Sequence, residues 1–161
     1  MNKQETYDYL DQRKIRYEVM EHRAIYNMEE LAELHLPHPE ADAKNLFVRD
    51  DKKRQYYLIT VKGNKRVDLK AFKKANGTKS LEFAKPNELK TVLGLTPGSV
   101  TPLGLLNDEE GKVIFYLDGE LTGGLIGCHP NDNTATVWLQ TDDLLSLIRE
   151  HGNPAYIVEI E

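Results

Sequence analysis

The sequence predicts an α+β fold: a single domain with a mixed β-sheet wrapped by helices. Three observations carry this. Segments with helical spacing are scattered among strand-like runs rather than alternating with them, which argues against a doubly wound parallel sheet. Two β-rich runs in mid-chain, joined by a polar stretch, form a hairpin signal. The 161 residues are 40% apolar and 29% charged, an ordinary globular balance and enough chain to bury one sizeable core. No repeat, linker or low-complexity segment divides the chain, so residues 1–161 are expected to form one domain.

Each element has a local reason. From about Lys3 to Lys14, Tyr7 and Leu10 share a helical face. Tyr17 to Met20 alternates as a short strand. Asn27 is placed to cap a helix through Leu34, and Glu30 three residues on completes a capping-box pattern. Pro37 and Pro39 end it. Asn45 to Val48 and Tyr56 to Val61 are the hairpin strands, joined by Arg49 to Gln55. A basic helix from about Asp68 to Ala75 closes at Asn76-Gly77. Pro86 suits the first turn of a helix that stops at Gly94. Gly94 to Gly104 is a constrained Gly- and Pro-rich loop. Val113 to Leu117 and Thr134 to Leu139 read as strands. Thr141 caps a helix through about Glu150, and Ala155 to Ile160 is a last strand.

Composition excludes several classes. No run of about 18 apolar residues occurs, so no spanning helix is expected. Met1 to Glu5 is polar and leads into no apolar stretch, so no signal peptide is expected. The lone Cys128 rules out an internal disulfide and a cysteine-based zinc cluster, and a cytoplasmic setting is expected. The net charge is −5 but unevenly spread. Lys44 to Lys79 holds twelve basic and three acidic residues, a local +9, and the remainder carries −14. Within that block Lys52, Lys53, Arg54, Lys65, Arg66, Lys70, Lys73 and Lys74 are the candidate nucleic-acid face, because a local basic field attracts a polyanion even on an acidic protein. A lysine-rich solvated face is the alternative.

Three segments are candidates for chemistry. Lys44 opens a strand, and its ammonium either reaches solvent or sits in a pocket and binds a carbonyl or carboxylate. Gly98-Ser99-Val100-Thr101-Pro102 allows close backbone approach. Its N–H groups are suited to a carbonyl oxygen or phosphate, although it is neither a P-loop nor a dinucleotide fingerprint. The alternative is a tight connection between strands. Gly123 to Asn131 reads as a site loop exposing the titratable ring of His129, or as a turn with a structural histidine. Cys128 and His129 are not read as a nucleophile pair, because neighbours on an extended segment point apart. His35 and His38 lack further ligands, so no metal site is expected. No Gly-x-Ser-x-Gly elbow occurs, which leaves no obvious protein nucleophile.

Taken together, Lys44-Asn45-Leu46-Phe47-Val48-Arg49-Asp50, Gly98-Ser99-Val100-Thr101-Pro102-Leu103-Gly104 and His129-Pro130-Asn131-Asp132-Asn133-Thr134-Ala135-Thr136-Val137 occur in family order. The chain resembles the YbaK/prolyl-tRNA synthetase-associated editing-domain family, most closely its freestanding ProX branch. Arg23, where many relatives have proline, and Asn131-Asp132, where an apolar residue is common, depart from the pattern.

The resemblance implies a mixed sheet wrapped by helices and hydrolysis of mischarged aminoacyl-tRNA, here Ala-tRNA(Pro). It assigns Lys44, Gly98 and His129 to catalysis. Asn45, Leu46, Ser99, Val100, Thr101, Pro102 and Asn133 are expected around the substrate. No cofactor is implied. The expected partner is the acceptor end of mischarged tRNA(Pro), with prolyl-tRNA synthetase or an elongation factor as transient partners and no membrane. The alternatives are a deacylase for another mischarged tRNA, such as Cys-tRNA(Pro), and a non-catalytic tRNA- or synthetase-binding module.

Overall fold

The computed structural model describes residues 1–160. Asn2 starts the first helix, α1 (Lys3–Gln12): its side chain accepts from the Glu5 amide while the Glu5 carboxylate accepts from the Asn2 amide. Strand β1 (Tyr17–Glu21) follows. Asn27 caps α2 (Met28–Glu33) through the Glu30 amide, as expected. The reciprocal half of the box goes elsewhere, since the Glu30 carboxylate accepts from the Tyr26 amide. Next come the hairpin β2 (Ala43–Asp50) and β3 (Tyr56–Lys62). Asp68 caps α3 (Leu69–Asn76), which ends on the left-handed Gly77. A short strand, β4 (Leu81–Phe83), precedes α4 (Pro86–Leu93).

The Gly/Pro segment that follows holds two 3-10 turns, Pro97–Ser99 and Pro102–Asn107, each entered at a proline. The remaining elements are β5 (Ile114–Asp118), β6 (Leu125–Cys128), β7 (Ala135–Gln140), α5 (Thr141–His151) and β8 (Ala155–Val158). Thr141 is not a cap: it is the first residue of α5, and its hydroxyl donates to the Leu121 carbonyl. No helix among the described residues is long and apolar enough to cross a membrane.

The α+β class holds, and its strands divide into two sheets. One is mixed, in the order β4-β2-β3-β5-β8; the other is antiparallel, in the order β1-β7-β6. Period-two alternation sorts the side chains of the larger sheet. Phe47, Leu58, Phe115 and Leu117 enter the main core with Val137, Leu139 and the apolar faces of α4 and α5. Leu46, Val48, Tyr57, Ile59, Val61 and Tyr116 face the other way and are covered by Phe72 of α3. The hairpin therefore has two buried faces along most of its length. Its open end, at Ala43 and Lys44, meets β6 and the Pro97 turn.

Candidate active site

Segments distant in sequence line one cavity of about 630 Å³. The start of β2 supplies Lys44 and Asn45, the Pro97 turn supplies Gly98 and Val100, and the end of β6 supplies Cys128 and His129. The outer wall is the stretch from Ile25 to Leu31.

Lys44 pairs in register with Val61 at the last rungs of the hairpin. Its ammonium makes no hydrogen bond or ion pair with any described residue. Partial burial, with Arg66 nearby, pushes its pKa below the ordinary lysine value. An ammonium held without an anion beside a cavity is available to a ligand oxygen. Leu46, expected beside the substrate, is instead buried in the α3-side cluster. It points to the same side of the strand as Lys44, but two residues farther along, where α3 already covers the sheet.

The loop is fixed from both sides. Asn45 donates to the Val100 carbonyl at 3.3 Å and accepts from the Thr60 hydroxyl at 2.6 Å. Thr101 is fully buried and its hydroxyl donates to the His129 carbonyl at 2.7 Å, tying two of the sequence motifs together. The Ser99 amide is committed to the Thr96 carbonyl. The Gly98 and Val100 amides have no backbone acceptor among the described residues. Ser99, Thr101 and Pro102 are buried behind the lining. Gly98 sits tight against the outer wall: a Cβ there would stand 2.7 Å from the Tyr26 ring and 3.1 Å from Asn133. Asn133 does not line the cavity. It donates to the Ile25 carbonyl and braces the outer wall.

His129 leaves the end of β6 with Nδ1 3.0 Å from the Ala135 carbonyl. A carbonyl only accepts, so Nδ1 carries the proton and Nε2 presents a lone pair. Burial pushes the imidazole below its ordinary pKa and nearby His22 adds to this, while the Ala135 hydrogen bond and Asp132 oppose it. Cys128 is buried and its thiol is pushed up to about 12, so it supplies no thiolate near neutral pH. The departures from the family pattern have structural roles. Asn131 sits at φ 62°, a left-handed position that favours asparagine. It donates to the Thr6 hydroxyl and accepts from Asn107. Arg23 pairs with Glu33 of α2 at 3.1 Å.

The basic block is only partly a free surface. Lys65 is a correction: its ammonium lies 2.7 Å from Asp118 and 2.8 Å from Glu120, and also donates to the Ile160 carbonyl. Arg49 is buried and paired with Glu82 and Glu88. Lys52, Lys53, Arg54, Arg66, Lys70, Lys73 and Lys74 are exposed. Lys52 to Arg54 lie in the hairpin turn beyond the far end of β2, which is roughly 20 Å from Lys44 at about 3.4 Å per residue.

Sequence reasoning missed Tyr26, which is 69% exposed and lies against Gly98 at the cavity mouth. It also passed over Thr136, on the lining. Tyr26 follows a short strand at no recognisable spacing. The capping asparagine beside it was the only local signal.

Comparison with known proteins identifies the family. Residues 22–147 match the family model described as an aminoacyl-tRNA editing domain. The chain is 38% identical over 152 residues to the prolyl-tRNA editing protein ProX of Acetoanaerobium sticklandii, covering 94% of this chain and 93% of that one. It is 35% identical over 153 residues to prolyl-tRNA synthetase associated domain-containing protein 1 of Bos taurus, covering 91% and 88%. A crystal structure of a candidate trans-editing enzyme for prolyl tRNA synthetase shares the fold, with TM-score 0.75, 22% identity and coverage of 100% and 98%. By sequence match over most of its length, the chain belongs to the aminoacyl-tRNA editing domain family.

Proposed function

We propose that this chain, an aminoacyl-tRNA deacylase by family, acts in trans on mischarged tRNA(Pro) and removes alanine from it. The observation that carries the reading is the unpaired Lys44 ammonium sharing one cavity with the Gly98 turn and the His129 ring. A synthetase that holds proline cannot exclude the smaller alanine sterically, and loss of a few methylenes discriminates by only about 1–3 kcal/mol. A second, smaller site that rejects the proline ring supplies the difference. The cavity volume lies within the roughly 300–1,000 Å³ of small-ligand sites, enough for an aminoacyl group with its terminal nucleoside.

In this mechanism the Gly98 and Val100 amides receive the ester carbonyl oxygen and stabilise the charge that develops there. Lys44 anchors the aminoacyl or terminal-nucleotide end. His129 orients the ribose or the water through Nε2. Water attacks the carbonyl carbon, the bond from that carbon to the ribose oxygen breaks, and the ribose oxygen takes the proton, with the neighbouring ribose hydroxyl assisting. The ester is already activated, so positioning replaces a protein nucleophile. Asn45, Thr101 and Asn133 hold the walls. Arg66, Lys70, Lys73, Lys74 and the Lys52–Arg54 turn contact acceptor-stem phosphates. The setting is cytoplasmic, with prolyl-tRNA synthetase or an elongation factor as transient partners, and the whole chain acts as one domain.

The test is deacylation of Ala-tRNA(Pro) beside Pro-tRNA(Pro), Cys-tRNA(Pro) and Ala-tRNA(Ala). Selective loss of alanine from tRNA(Pro) is expected. Faster loss of cysteine would move the specificity, and tRNA binding without turnover of any ester would overturn the enzymatic reading.

A further inference from the structure

The cavity has a polarity that follows from fixed tautomers. His22 continues the β1 ladder, its amide bonding the Thr134 carbonyl at 2.9 Å. Its ring is held at both nitrogens: Nδ1 lies 2.7 Å from the Arg23 carbonyl and Nε2 lies 2.8 Å from the Thr136 hydroxyl. The carbonyl can only accept, so Nδ1 carries the proton. In the neutral ring Nε2 is then an acceptor, and Thr136 must commit its single proton to it. The Thr136 oxygen is left with lone pairs and nothing to donate. Thr136 is 7% exposed and lines the cavity. His129, whose ring centre lies 6.4 Å from that of His22, is fixed by the same logic with Nε2 as an acceptor.

This wall therefore presents acceptors. The same cavity is lined by Lys44, whose ammonium can only donate, with Arg66 near it. An aminoacyl ester has the complementary polarity: its α-ammonium only donates, while its carbonyl and the ribose and phosphate oxygens beyond it accept. We propose that the Thr136 hydroxyl receives the substrate's α-ammonium, with His22 as the positioning residue that keeps that oxygen an acceptor. This rests on the deacylase reading and goes beyond it, because it makes a free α-amino group part of what the site recognises. Asp42 and Glu29 also line the cavity, but their charge attracts any cation and sets no tautomer.

The experiment compares three esters on tRNA(Pro): alanyl, N-acetylalanyl and 2-hydroxypropionyl, which carries a hydroxyl in place of the amine. Each enzymatic rate is divided by that ester's uncatalysed rate, which removes the activating effect of the ammonium itself. Wild type is expected to favour the alanyl ester by roughly tenfold or more, as for a hydrogen bond to a charged group. Thr136→Val keeps the side-chain shape and should bring the alanyl to 2-hydroxypropionyl ratio near one. Thr136→Ser should restore the preference, and His22→Phe should reduce it. Equal normalised rates in wild type would overturn the inference without any variant. So would an equal loss on both esters in Thr136→Val, or a preference abolished by Asp42→Asn and untouched by Thr136→Val. Absence of hydrolysis of every ester by wild type would instead remove the deacylase reading itself, and the inference with it.

Discussion

Lys44 and Arg49 lie on one strand, five residues apart, and the fold treats them in opposite ways. Arg49 is 3% exposed and meets Glu82 and Glu88, with Tyr56 donating to the same Glu88. Hydrogen bonds donated to Glu88 and Glu82 raise the guanidinium's pKa. Lys44 is partly buried, has no partner, and its pKa is lowered by that burial. A cation whose hydrogen bonds are all made belongs to the framework. One desolvated beside a cavity and left unpaired costs stability and is free to meet a ligand. Lys65 repeats the first pattern: although burial opposes its charge, Asp118 and Glu120 raise its pKa. Sign of charge alone does not separate these residues; the partners do.

The largest effect should come from exchanging the two cations' consequences. Lys44→Met is expected to lower deacylation at least about 100-fold, in line with loss of a preorganised charge contact. It should leave the unfolding midpoint unchanged or higher, because the lowered pKa means that folding disfavours the charge. Arg49→Met should do the reverse. It leaves the largely buried Glu88 without its cation, the costly way to break a buried pair, so the urea midpoint should fall sharply while turnover per folded molecule persists. If Lys44→Met destabilised as much as Arg49→Met and kept its turnover, the contrast would be gone.

Gly98→Ala tests another part of the cavity lining. The new methyl would meet the Tyr26 ring at 2.7 Å, and an exposed ring can yield. Turnover should fall about tenfold with little loss of stability, by displacement of a positioned wall. Adding Tyr26→Ala should recover part of it. A double variant as slow as the single one would show that the clash is not the cause.

Among the exposed cations, Lys73→Glu with Lys74→Glu should weaken tRNA binding several-fold. It should also reduce the slope of log K against log salt by about 0.7–0.9 for each phosphate that is no longer neutralised. Lys65→Met should leave that slope alone and lower the unfolding midpoint. A salt titration of binding with both variants separates the free lysines from the paired one.

The smallest effect is on pH. Burial lowers the pKa of His129 below its ordinary value of about 6.5. Between the two values the unfolded state binds more protons. Its contribution to stability is therefore full above about pH 6.5 and declines as pH falls toward the lowered value. Activity needs the Nε2 lone pair, so kcat/KM should fall on the acid side with a midpoint below 6.5. A midpoint at or above 6.5 that vanished in His129→Gln would contradict the assigned environment.

Much of the framework was legible locally. The Asn27 cap, the Gly77 and Gly94 helix ends and the central hairpin depend on neighbours within a few residues, so spacing reveals them. Strands β4 and β6 were not read. β4 has three residues, and β6 carries glycine within and just before it, so it becomes a strand only because β7 pairs with it. Thr141 was expected to cap the last helix, yet its hydroxyl turns to Leu121, twenty residues upstream. Leu46 looked like a pocket residue because it shares a motif with Lys44, and only the position of α3 shows that it is covered.

The sequence by itself determined the α+β class, the family, and three segments that supply Lys44, Gly98 and His129, because these rest on residue types and short-range spacing. Only the tertiary structure decided which charges stay free. The anions that neutralise Arg49 lie 33 and 39 residues away in sequence, and Asp118 stands 53 residues from Lys65. Nor could the sequence show that the His22 ring, whose tautomer the adjacent Arg23 carbonyl sets, meets a hydroxyl 114 residues along the chain. Ion pairs and side-chain hydrogen bonds act over a few ångströms in space, and chain separation carries no information about such distances until the sheets have formed.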